Sequence, residues 1–130
     1  MDKDYIILSQ YTSGQLYTLM YNAEHAGAHV GYIRGMFSQT LDDFFREVSA
    51  SFRFPSYFGW NWAAFDECIT DLEWLKFSQL LFVIENTNLL CIKEQKQDNC
   101  IAILKKHMKM VAKYWEEQGI QFTCYFNTIG

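Results

Sequence analysis

Apolar positions recur along this chain with two different periods, and the alternation between them predicts its elements. Positions 5–8 form a short apolar run of strand length. Leu16, Leu19, Met20 and Ala23 then return at helical spacing, with Ser13 as a cap ahead of them and Gly27 as a stop behind. Residues 29–33 alternate weakly and predict a second strand, closed by Gly35. Leu41, Phe44, Phe45, Val48 and Phe52 fall on one stripe of a helix that Ser38 or Thr40 would cap. Asp42 and Asp43 sit in its first turn, where the helix dipole favours negative charge. Pro55 bars its continuation and pushes the preceding residue away from helical angles.

The next predicted helix covers residues 61–72, with Asn61 as its cap and Gly59 allowing a tight turn before it. The unbroken β-prone run 80–84 predicts a strand buried on both faces. A short helix is expected over 86–94. A longer one, capped by Asp98, carries Ile101, Leu104, Met108, Val111 and Trp115 at helical spacing. Gly119 is its stop signal, and 120–126 reads as the last strand. Strands separated by helices predict an α/β layered domain, a small and largely parallel sheet packed with helices.

Composition narrows the function. The chain has 130 residues, which favours one domain, and half of them are hydrophobic, enough for a core without disulfide staples. A formal net charge of -4 argues against a nucleic-acid surface, which needs a basic face. No apolar run reaches the ~18 residues of a membrane span. The opening MDKDYIILSQYTSG lacks a signal-peptide layout, so a cytoplasmic location is expected. Cys68, Cys91, Cys100 and Cys124 form no CxxC pair, and His25, His29 and His107 are scattered. Metal-ligand spacing is therefore lacking, and reduced thiols packed as small hydrophobes are expected, with no metal or cofactor.

What stands out is residues 54–75, FPSYFGWNWAAFDECITDLEWL. On a helix, Trp62, Phe65, Ile69 and Leu72 share the core side, whereas Trp60, Ala63, Glu67, Thr70 and Asp71 point broadly outward, with Asp66 at the edge. Asp66, Glu67, Asp71 and Glu73 meet no Lys or Arg between Arg53 and Lys76. Acids on a helix exterior usually only solubilise. A single-sign field beside an aromatic loop instead suits the steering of a cationic partner.

This stretch resembles the signature of the barstar family, inhibitors of secreted ribonucleases, through Pro55, Tyr57, Phe58, Gly59, Asn61, Trp62, Ala64, Asp66, Cys68 and the run from Asp71 to Leu75. A family-like order of elements continues from about residue 29 to the end, which makes 28–130 a barstar-like core and 1–27 a strand–helix extension of a single domain. The resemblance implies that loop and helix plug a ribonuclease active site, their carboxylates meeting the cations that otherwise hold RNA phosphate. It implies partner contacts at Tyr57, Gly59, Trp60, Asn61, Ala63, Asp66, Glu67, Thr70 and Asp71. Glu67 becomes the principal phosphate mimic, where the family commonly has Asp. Ala63 departs from the pattern, since the family usually places an acid there, and Trp60 replaces a residue that is often polar.

Two other functions compete with an immunity protein directed at a ribonuclease toxin. One is a non-inhibitory interaction module on the same scaffold, which Ala63 makes credible. The other is a small enzyme with Cys91 or Cys100 as nucleophile and His107 as base. Cys100 and His107 lie seven positions apart, too far for a direct hydrogen bond along one helix.

Overall fold

The structure, a computed structural model, describes residues 5–128. Its strands are β1 (Ile6–Ser9), β2 (Ala28–Arg34), β3 (Gln79–Glu85) and β4 (Gln121–Asn127). Its helices are α1 (Ser13–His25), α2 (Leu41–Phe52), α3 (Trp62–Ile69) and α4 (Gln97–Glu117). The strands form one sheet in the order β1-β4-β3-β2, and every pairing is parallel. This is the expected layered α/β architecture, with a sheet wholly rather than largely parallel. β1 is built into that sheet as an edge strand, Ile6 opposite Cys124 and Ser9 opposite Asn127.

Alternation along β3 creates two cores. Leu80, Phe82 and Ile84 point into the larger one, with Phe44, Phe45, Val48 and Phe52 of α2, Phe65 and Ile69 of α3, and Leu104, Met108 and Val111 of α4. Leu81 and Val83 point the other way and meet Leu16 of α1. The unbroken apolar run of β3 is thus buried from both sides, as such a run requires. α2 comes unusually close to β2. A Cβ added to Gly31 would lie 2.1 Å from Cε2 of Phe52, so only glycine lets that ring rest on the strand backbone.

Several boundaries differ from those the sequence predicts, each for a local reason. Thr12, not Ser13, caps α1, through a reciprocal pair in which Thr12 Oγ1 accepts from the Gln15 N–H (3.2 Å) and Gln15 Oε1 accepts from the Thr12 N–H (2.9 Å). Of the two candidates ahead of α2, Thr40 is the cap. Lys96 stands at the cap position of α4, and Asp98 lies inside its first turn. The short helix expected over 86–94 shrinks to one 3-10 turn, Thr87–Leu89, between the left-handed residues Asn86 and Cys91. Backbone bonds from Cys91 to Ser38 and from Lys93 to Gln39, both 2.9 Å, hold the segment beyond that turn against the start of α2.

Candidate partner-binding site

The segment after α2 is a chain of aromatic anchors. Arg53 ends α2 in the left-handed conformation (φ 53°), and Pro55 lies two residues beyond it. Phe54 and Phe58 are buried with ring centroids 5.0 Å apart, whereas Tyr57 between them is 69% exposed. Two inward rings thus hold an outward one in place. The left-handed turn before α3 falls on Trp60 (φ 55°), not on Gly59. Space at Gly59 is tight: a Cβ there would lie 3.3 Å from Asn61 Nδ2, which donates to the Gly59 carbonyl at 3.1 Å and would have to give by a few tenths of an ångström. The same Asn61 accepts from the Ala64 N–H through Oδ1 at 2.8 Å and caps α3 as the sequence predicts.

α3 is shorter than predicted, ending at Ile69 with Thr70 as its C-cap. The helical path does not reach 72, because Leu72 turns left-handed (φ 49°) and drives its side chain into the core. Phe65, Ile69 and Leu72 are buried, as predicted for the inner face, and Cys68 joins them. Trp62, also assigned inward, is only partly buried.

Outward, Gly59, Trp60, Asn61, Ala63, Glu67 and Asp71 are exposed. Glu73, which is not among the predicted contacts, is exposed beside them. The Tyr57 phenol reports on this grouping. Its pKa is raised by lost hydration first and then by the surrounding Cys68, Asp71, Glu67 and Glu73. Neither Glu67 nor Asp71 engages its carboxylate in a hydrogen bond or ion pair with another described residue.

Two predicted contact residues are occupied instead. The Thr70 hydroxyl donates to the Asp66 carbonyl at 2.6 Å, turned back onto its own helix. The Asp66 carboxylate receives His107 Nδ1 of α4 at 2.8 Å, and that imidazole stacks on Trp62 with centroids 4.3 Å apart and planes 9° from parallel. Asp66 therefore ties α3 to α4, and Glu67, Asp71 and Glu73 carry negative charge with no partner among the described residues. The field is also less one-sided in space than along the chain. Arg46 of α2 lies 5.8 Å from the Trp60 ring while its Nη1 pairs with Asp43 at 2.7 Å. No sequence signal marks His107 or Arg46 as neighbours of this segment, since both contacts are set by helix packing.

Asn61→Ala should lower stability by about 1 kcal/mol, the usual cost of losing a cap. Chemical denaturation would show a reduced midpoint at constant m-value. An unchanged midpoint would mean that Asn61 does not hold the start of α3.

His107, the base of the competing enzyme reading, is engaged with Asp66. Among the described residues, no group of three or more His, Cys, Asp or Glu could hold a metal ion, and no helix is long and apolar enough to cross a membrane. A family model described as Barstar (barnase inhibitor) matches residues 28–127. No curated protein matches the chain.

Proposed function

The chain belongs to the barstar family, and from that premise we propose that it is an immunity protein that occludes the active site of a cognate ribonuclease toxin. The family's role is inhibition of a barnase-like ribonuclease, a partner whose groove must be cationic to hold RNA phosphate. Glu67 is the principal phosphate mimic, with Asp71 beside it and Tyr57 and Trp60 as aromatic edges. The observation that carries this reading is the exposure of Glu67 and Asp71, neither paired with another described residue, together with exposed Tyr57, on a surface fixed by buried neighbours. Charge so placed steers encounter and adds to affinity once water is excluded. Four free thiols, three of them buried, support a cytoplasmic setting for this activity.

Ala63 favours a second reading. It is exposed in the middle of the platform, where an acid would be expected, so the same surface would suit an interaction module for a non-nuclease partner. Capture of the bound partner from cells, followed by a ribonuclease assay, separates the two. The first reading expects a basic partner whose RNA cleavage stops at one equivalent of this protein, with an on-rate that falls steeply as salt rises. A captured partner that cleaves no RNA would overturn it in favour of the second.

A further inference from the structure

α4 carries two apolar stripes, and the core takes only one. Leu104, Met108, Val111 and Trp115 recur at helical spacing and are buried. One position before each of them lie Ile103, His107, Met110 and Tyr114, which share a second line along the helix. Ile103, Met110 and Tyr114 are 44%, 56% and 38% exposed, and His107 among them is partly buried. The outer side of a surface helix ordinarily carries polar groups instead.

α3 borders this outer stripe. His107 Nδ1 lies 2.8 Å from Asp66, and Trp115 Nε1 donates to the Ile69 carbonyl at 2.9 Å. The two helices therefore run side by side in one direction, tied near both ends of α3. Past Asp66 on this border stand the exposed Glu67 and Asp71. The border away from His107 is cationic. Lys106 is three positions after Ile103 and four before Met110, and Lys113 is three after Met110, so both flank the stripe, and both are exposed. α4 has no acid between Asp98 and Glu116, and neither lysine is ion-paired with a described residue. Across the two helices the surface runs from acids, over an apolar seam, to lysines.

This order restricts what can cover it. A polyanion on the lysines would also meet Glu67 and Asp71, and a purely apolar ligand would strip water from charges it cannot pair. The fitting partner bears the same three strips in reverse order, which a two-fold rotation of this chain about the seam supplies. We propose that this face is a self-complementary dimer contact, in which the seams of two copies meet and Lys106 and Lys113 of each copy lie against Glu67 and Asp71 of the other. Each charge contact then occurs twice, as two-fold symmetry requires. A contact of two short helical faces belongs with the small, transient interfaces below ~1,200 Å², so the chain is a monomer at nanomolar concentration. On the inhibitor reading, on which the dimer itself does not rest, the toxin and the second copy compete for the same carboxylates.

The test uses no toxin, so failure of the dimer and failure of the inhibitor reading are distinguishable. The full-length chain is followed by sedimentation equilibrium through the micromolar range. In low salt the average mass should rise with concentration from that of one chain, 15.4 kDa, to twice that and no further, and should fall back as salt screens the charges. Met110→Ser should raise the dissociation constant about tenfold. Glu67→Lys with Asp71→Lys makes both borders basic, and Lys106→Glu with Lys113→Glu makes both acidic. Each double variant should be a monomer alone, and their equimolar mixture should form a one-to-one dimer. Single chains at every concentration, growth beyond two copies, or a mixture of folded variants that stays monomeric would overturn the proposal. Should a variant unfold, the parent decides, since association that salt leaves unweakened also overturns it.

Discussion

Glu67→Lys should weaken the complex with the cognate ribonuclease by more than ~2 kcal/mol, roughly a 30-fold rise in Kd. The carboxylate is exposed, unpaired within the described chain and next to Asp71 around Tyr57, so reversal both removes an attraction and adds a repulsion. The barnase–barstar complex is itself among the measured cases behind hot-spot energies of this size, so the magnitude comes from kinship rather than from this geometry. Titration calorimetry with the captured partner reads the effect directly. The variant should melt like the parent, because an exposed side chain without partners contributes within about 0.5 kcal/mol to stability. Unchanged affinity in a folded Glu67→Lys protein would remove Glu67 from the interface.

The second large effect is on stability. Phe65→Ala should cost about 3–5 kcal/mol, the range for emptying a buried aromatic site. Phe65 has no exposed surface, and the rings of Trp62, Phe54, Phe44 and Phe45 lie 5.4, 6.3, 6.4 and 6.4 Å from it. These rings come from α2, the loop and α3, so the cavity opens where the recognition segment is anchored. The readout is the denaturation midpoint compared with that of Glu67→Ala. Equal losses at positions 65 and 67 would contradict the division of α3 into an inner and an outer face.

Local chemistry makes much of this legible in the sequence. The stripe of Phe44, Phe45, Val48 and Phe52, the cap at Asn61 and the two-sided burial of 80–84 each depend on residues within one or two turns of one another. Where sequence and structure part, a distant partner decides. Apolar spacing extends α3 to 72, but Leu72 reaches the core by a left-handed bend instead of another helical turn. The stretch 86–94 looks helical in isolation, yet Cys91 and Lys93 give their N–H groups to Ser38 and Gln39. Asp66 reads as a free acid because its imidazole partner lies 41 residues away.

The two left-handed residues at either end of α3 have a consequence for how the complex should form. Trp60 and Leu72 hold backbone angles that β-carbon-bearing residues adopt reluctantly, and the buried Phe65 ring and a capping amide anchor the segment between them. A surface already set before contact forfeits little chain entropy on docking. Association should therefore resemble the meeting of two rigid bodies, one kinetic phase whose rate rises linearly with partner concentration and shows no plateau from a slow rearrangement.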